Sequence, residues 1–325
     1  MINDQPTLFT LAVRPRNRDA IKPAELIQVT GHHELTLNAR RAITILWHSA
    51  HQQGVEPGKD YTIEIDALKT DGHKGYEAVE EAIEALMRTI LTIRHADGKT
   101  RRVQFLGGND MDSPDRRAGV LTYSFDKRLI EILKDSTIWG KIAIPVLMAF
   151  SSKYAISLYE NVAQLAGLDY KFTADYALDD FRTMVGVMPG QYKTFGEFNK
   201  HVLKPAVDEV NALATFGITV LPVKQGKKVV TLRVGWWAKG DEQQKAAFAE
   251  LQAPKRSRRK REEAGGVLDP MPSQERLART PRKRPVEKAS LLPQRPHRNA
   301  PKVSQQRPET SHYAPDVSSE APKAS

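Results

Sequence analysis

The chain has 325 residues, of which 49 are Lys or Arg and 39 Asp or Glu, for a formal net charge of +10; that length has room for about two domains. Cysteine is absent, which excludes disulfides and thiolate metal sites within the chain and fits a reducing, cytoplasmic setting. The charge is uneven, with 18 basic against 11 acidic groups in residues 241–325, so a case for nucleic acid must rest on where the remaining cations lie rather than on their number.

Residues 1–23 read as a flexible lead-in without the basic-then-apolar pattern of a secretion signal. The first strong element is a helix from Leu37 to Gln53, capped by Thr36. A second helix follows, with Lys74 and Tyr76 at its start, where a helix N-terminus can meet a phosphate. The stretch "EEAIEALMRTILTIRHADGKTRRVQFL" (80–106) then reads as amphipathic helix, strand, turn at Asp97-Gly98-Lys99 and second strand. Lys99, Arg101 and Arg102 at that hairpin tip suit phosphate contacts, which position a protein without reading sequence. The acidic "GGNDMDSPD" (107–115) lacks the glycine a calcium loop needs at its sixth position and reads as a flexible turn. "GVLTYSFDKRLIEIL" (119–133) reads as a strand then a helix, and "IAIPVLMAF" (142–150) holds Pro145 and is half the length of a membrane span. Together these two stretches carry apolar residues enough for core packing and for a dimerisation surface.

A junction falls near Ala149–Lys153. After it, a helix from Lys153 to Leu165 places Tyr154, Ile156, Leu158, Tyr159 and Val162 toward a core and Lys153 toward a DNA backbone, and a shorter helix spans Leu178–Val185. The most informative stretch is "YKTFGEFNKHVLKPAVDEVN" (192–211). As a helix it lines up Phe195, Phe198, Val202, Val210 and Leu213 on one face. Lys193, Lys200, His201 and Lys204 crowd its first half while Asp208 and Glu209 follow, the reverse of the order a helix dipole prefers. A major groove admits a helix, and amide or cationic side chains reach base edges and phosphates; Lys193, Thr194, Asn199, Lys200, His201 and Lys204 are therefore the candidate contacts. Pro205 is expected to kink the helix. A hairpin closes at Gln225-Gly226-Lys227-Lys228, where Lys227 and Lys228 again suit phosphates. Residues 241–325 hold 11 of the 20 prolines and the blocks "KRSRRKR" and "PRKRP", and read as a disordered basic tail with a last helical turn or two at Glu242–Leu251.

Helices leading into a basic-tipped hairpin describe a winged helix, and two such runs describe an internal duplication. The expected fold is α+β, with tandem winged-helix domains at 24–150 and 151–240 and the tail beyond. The stretches "SSKYAISLYENV", "YALDDFRTMVGV", "YKTFGEFNKHVLKPAVDEVN" and "KKVVTLRV" in the second unit, with "LIQVTGHHELTLNARRAITIL" and "DGKTRRVQFL" in the first, resemble the replication initiators of iteron plasmids across residues 24–237. The resemblance implies tandem domains that bind double-stranded origin repeats as monomers and repress their own gene from an operator as dimers. It further implies that the second unit reads bases, the first clamps the backbone and dimerises, and host replication initiator and replicative helicase are recruited, with no cofactor, metal or membrane. Positions 199–201 match that family's basic triplet but read Asn-Lys-His, which bears on the sequence recognised. A winged-helix transcriptional regulator would use the same surfaces, and a strand-nicking rolling-circle initiator is a third reading.

Enzyme motifs are lacking. No G-x-x-x-x-G-K-[ST] loop for a nucleotide occurs. "HELTL" (33–37) has Leu37 where a zincin needs its second histidine. His32 and His33 are adjacent, whereas nicking initiators separate their metal-binding histidines by one apolar residue. His48 and His51 share a helix face with no accompanying carboxylate.

Overall fold

Two helices with apolar faces, far apart in sequence, each organise one core of the molecule. The computed structural model describes residues 9–15, 18–29, 32–69, 75–94, 98, 100–113, 119–167 and 172–252. In chain order its elements begin β1 (Asp19–Pro23), α1 (Ala24–Ile27), α2 (Leu37–Gln53), β2 (Asp60–Glu64), α3 (Gly75–Arg88), β3 (Ile90–Arg94) and β4 (Thr100–Gln104). Next come β5 (Leu106–Met111), β6 (Val120–Phe125), α4 (Lys127–Leu133), β7 (Trp139–Ala143) and α5 (Ile144–Ala149). The remainder is α6 (Lys153–Ala166), β8 (Thr173–Ala177), α7 (Leu178–Val185), α8 (Phe195–Phe198), α9 (Lys204–Leu213), β9 (Phe216–Gln225), β10 (Lys228–Ala238) and α10 (Asp241–Gln252).

Helix α2 starts where the Thr36 hydroxyl accepts from the Ala39 N–H at 3.2 Å, satisfying one of the orphan donors of a helix N-terminus. Ala39, Ala42, Ile43, Leu46, Trp47 and Ala50 recur at helical spacing and are all buried in the first core, where large side chains contribute about 1.5–3 kcal/mol each. Val79, Ala82, Ile83 and Leu86 of α3 meet them there. The hairpin β3–β4 and the antiparallel sheet β2-β6-β5 complete this unit. Two buried polar tips are anchored within it: the Trp47 indole donates to the Ile21 carbonyl at 2.8 Å and the Tyr123 hydroxyl to the Leu46 carbonyl at 2.6 Å.

The second core gathers Ala155, Ile156, Leu158, Tyr159 and Val162 of α6 with Phe181, Phe198, Val202, Val210, Leu213, Leu232 and Val234. Its sheet runs β8-β10-β9, antiparallel throughout. The units differ in how their strands pair. In the second, β8 pairs with the hairpin strand β10, whereas the corresponding β2 pairs with β6, beyond its hairpin.

The two-stranded sheet β1-β7 contributes Ala20 and Ile142 to the second core. Gly140 in β7 allows a close approach to α6, since a Cβ there would meet Ile27 Cδ1 at 2.8 Å and the Gln164 backbone nitrogen at 3.2 Å. A buried polar cluster joins the two organising helices. Lys22 Nζ donates to Glu160 Oε1 at 2.7 Å and to Thr44 Oγ1 at 3.0 Å, and the Thr44 hydroxyl donates to the same carboxylate at 2.8 Å. Arg40 donates to the Ser157 hydroxyl and Arg41 to the Phe150 carbonyl.

Several sequence expectations change. The described part of the lead-in is packed: Asp19–Pro23 is strand β1, and Thr10, Ala20 and Lys22 are buried. Within "GGNDMDSPD", residues through Met111 form strand β5 rather than a turn, because β6 offers a paired edge that overrides weak strand propensity. Most apolar residues over 120–150 pack inward, with Leu121, Tyr123, Phe125, Leu129, Ile130, Ile132 and Leu133 in the first core and Ile142, Val146, Leu147 and Phe150 in the second, while Val120 and Ile138 stay exposed. Asp241–Gln252, expected to open the tail, is a three-turn helix with Ala247 buried and Leu251 packed on the second core. The basic blocks of the tail lie outside the described residues. No helix among the described residues is long and apolar enough to cross a membrane.

Candidate nucleic-acid interface

The candidate reading helix begins with a reciprocal cap. Thr194 Oγ1 accepts from the Glu197 N–H at 3.2 Å while Glu197 Oε2 accepts from the Thr194 N–H at 3.1 Å, which satisfies two donors at once. Four α-helical residues follow, and then Asn199–Leu203 form a π-helical turn, with the Lys204 N–H reaching back to the Asn199 carbonyl. The expected kink at Pro205 is thus absorbed as a widened turn just ahead of it. Proline has no N–H for the His201 carbonyl and its ring crowds that position; a π turn relieves both, and such turns are frequent at functional sites.

That turn decides what the helix shows. Asn199, Lys200 and His201 are three consecutive exposed residues, joined by Lys193, Thr194 and Lys204, while Val202, Leu203, Pro205, Ala206 and Val207 are buried. The late carboxylate has a local purpose. Glu209 Oε1 accepts from the backbone N–H of Ser151 at 2.5 Å and from its hydroxyl at 2.7 Å, and its charge faces Arg41. It therefore ties α9 to the start of α6. At the far end Lys239, buried, donates to the Asn211 and Ala214 carbonyls, as cations do at helix C-termini.

The hairpin beside this helix turns at Gly226, whose φ of +62° favours glycine, and exposes Lys224, Lys227 and Lys228. Lower in the sheet, Arg233 faces Asp175 across strands β10 and β8 in a two-pronged pair at 2.8 and 2.7 Å. Hydrogen bonding to that guanidinium holds the Asp175 carboxyl below its usual range, and the pair leaves the cations nearer the tip as the dominant charge.

Other candidates are placed differently. Lys153 is half-buried, donates to the His33 carbonyl at 2.8 Å and lies near the Tyr154 ring, and burial lowers its pKa; it braces the two units. The Tyr76 hydroxyl donates to the Asp112 carbonyl at 2.8 Å and holds α3 against β5. Arg102 is exposed on the outer face of β4, whereas Arg101 shares the side of buried Val103, because strand side chains alternate. Lys74 and Lys99 lie outside the described residues.

Three neighbours escaped sequence reasoning. Lys224 sits on the hairpin, where strand alternation obscures it. Arg182 of α7 lies over the Phe198 ring at 5.0 Å. Tyr192 stacks on His201 with ring centroids 6.0 Å apart at 20°; the Pro189-Gly190 turn just before it was the available signal.

A helix with an exposed amide and cations, lying beside a basic-tipped hairpin over a three-stranded sheet, defines a winged helix, and α3 with β3–β4 makes the protein a tandem winged-helix protein. Residues 20–163 match the family described as Initiator Replication protein, WH1, and residues 177–236 match Initiator Rep protein, WH2. Together these spans cover well over half of the chain, and the protein belongs to the initiator replication protein family. The first span continues through most of α6, whose apolar face packs in the second core. Among solved structures, the chain is similar to the Pi initiator protein in complex with iteron DNA, with 19% identity, a TM-score of 0.53, and coverage of 69% of this chain and 98% of that one. A weaker likeness is to domains 2 and 3 of RctB, at 12% identity and a TM-score of 0.38, covering 70% of this chain and 94% of that one. No curated protein sequence matches the chain.

Proposed function

We propose that this protein initiates plasmid replication by binding direct repeats at its origin, without catalysing a reaction itself. The carrying observation is the row Asn199, Lys200, His201 and Lys204, exposed on the first half of a helix whose apolar face is buried, beside a lysine-tipped hairpin. In this reading the second winged helix reads base edges in a major groove and the first contacts mainly backbone, through Arg102 and the neighbouring cations. Several copies on adjacent repeats bend the origin and favour opening of a neighbouring A·T-rich segment. The same DNA surface serves an operator when a homodimer forms, and the opened origin is the platform for a host initiator and a replicative helicase. Family membership and the Pi initiator's complex with iteron DNA support the reading, and it places the protein in the bacterial cytoplasm.

The test begins with selection of duplexes from a random pool by the full-length protein. Lys200→Ala and His201→Ala should each weaken binding to the selected duplex by about 1–3 kcal/mol if they meet bases, with little change on a shuffled one. A plasmid whose sole origin is the gene with matching repeats should replicate. Failure to enrich any sequence, or equal losses on both duplexes, would overturn base reading by this helix; selective binding without replication would leave a transcriptional regulator.

A further inference from the structure

Tyr192 is the one non-glycine residue among those described with a positive φ, at +50°. A left-handed conformation is unfavourable for a residue with a Cβ, and such strain persists only where surrounding contacts hold it and recurs at functional sites. The chain arrives there from a turn in which the Gln191 N–H donates to the Met188 carbonyl at 3.1 Å, with Pro189 and Gly190 (φ +81°) at its centre. That turn already has the glycine its geometry requires. The second left-handed residue, two positions on, is not demanded by chain reversal.

The contacts around Tyr192 show what the strain secures. Its ring packs against the second core and lies nearly parallel to the His201 imidazole. Its hydroxyl faces that of Tyr154, at the start of α6, and adds to the burial that raises the Tyr154 pKa. The preceding residue is held by Arg182, whose guanidinium donates to the Gln191 carbonyl at 3.4 Å. His201 itself stands on the π turn, at the edge of an open cleft of about 340 Å³ that Tyr154, Pro205 and Glu209 also line. An exposed imidazole on a widened turn would otherwise sample several rotamers. A ring held nearly parallel beside it restricts the imidazole's rotation and leaves its outward edge as the part it presents.

We infer that Tyr192 is a positioning residue for sequence reading: its strained backbone holds a ring that preorganises His201 for a base edge. The inference rests on the proposed reading function and adds the element that orders one of its contacts before DNA arrives. Glycine at 192 relieves the backbone strain while removing the ring, so binding is measured at a temperature where both proteins are fully folded. With the duplex recovered by selection, Tyr192→Gly should bind about twofold to tenfold more weakly, the cost of ordering one side chain on binding. Affinity for a shuffled duplex should be unchanged. Tyr192→Phe, which keeps the ring, should restore most of the loss, and Tyr192→Gly combined with His201→Ala should bind no more weakly than His201→Ala alone.

Three outcomes overturn the inference: unchanged binding by Tyr192→Gly, equal loss on selected and shuffled duplexes, or losses that add in the double variant. If His201→Ala weakens selective binding and Tyr192→Gly does not, only the positioning role falls. If His201→Ala has no effect, that role falls together with the reading of bases by His201.

Discussion

At the scale of single residues, His48 and His51 are the buried groups whose titration should be felt most. They sit one turn apart on α2, 7% and 6% exposed, and the Nδ1 atom of each has no hydrogen-bond partner among the described residues. His51 Nε2 lies 3.3 Å from the Leu11 carbonyl, which pins the segment before β1. Burial pushes both imidazoles below the ordinary 6.5; His48 is lowered further by its neighbour and partly restored by Asp19, and His51 is partly restored by backbone carbonyls. The unfolded chain therefore takes up protons near pH 6.5 that the folded protein still refuses. Stability from this pair is complete above that pH and is lost as the pH falls toward the folded values. Thermal melts between pH 8 and 5 should show Tm falling below about pH 6.5, more steeply than in a His48→Gln/His51→Gln variant. Parallel slopes would remove these histidines as a cause. The sequence displayed the pair on one helix face, but only their burial under the N-terminal segment turns them from candidate ligands into neutral core groups.

Among the elements, edge strand β9 shows how a side chain can substitute for a missing neighbour. Asn211 of α9 accepts from the Ile218 N–H at 2.8 Å and donates to the Ile218 carbonyl at 3.0 Å, so its amide pairs with the strand edge that β10 leaves open. Pro222, further along the same strand, lacks a donor altogether, another means of blunting an edge. Asn211→Ala should expose two backbone groups without a partner and cost about 1–3 kcal/mol in urea denaturation, with greater self-association on heating. A loss below half a kcal/mol would mean that water replaces the amide at no cost. Element legibility was uneven in a way that has a cause. Helices α2, α3, α6 and α7 and both basic-tipped hairpins carry their own periodicity, caps or turn glycines. Strands β1 and β5 do not, because Asp19–Pro23 and the glycine-rich start of β5 are strands only by virtue of partners β7 and β6, more than a hundred and about fifteen residues away.

For the molecule as a whole, the cluster of Lys22, Thr44 and Glu160 couples the two cores, since α2 fills one and α6 the other. The ion pair is almost wholly buried, with side chains 3% and 8% exposed, and burial lowers the lysine's pKa while Glu160 opposes the shift. Removing one partner leaves an unpaired buried charge. Glu160→Leu should cost roughly 3–5 kcal/mol, and Lys22→Met with Glu160→Leu should recover most of it, because an apolar pair of similar size is often as stable as a buried ion pair. Urea denaturation followed by tryptophan fluorescence reports on both units, with Trp47 in the first core and Trp236 in the second. A double variant as unstable as Glu160→Leu would show that the charges themselves hold the units together.

By itself the sequence determined the order of helices and hairpins, which helix faces are apolar, and which basic side chains stand on the first half of the candidate reading helix. Those properties follow from spacing along a few turns of chain, where periods of 3.6 and 2 act without outside help. Tertiary structure alone decided that Asn199–Leu203 form a π turn, that Tyr192 is left-handed against His201, that Lys153 and Glu209 serve the join between elements, and that Lys22 is buried against Glu160. Each of these answers a demand made at one place, a proline ring, an imidazole face, an uncapped amide or a buried charge, with a group supplied from elsewhere in the fold. Local patterning cannot encode them, because a buried polar group is stable only beside a partner that folding brings to it.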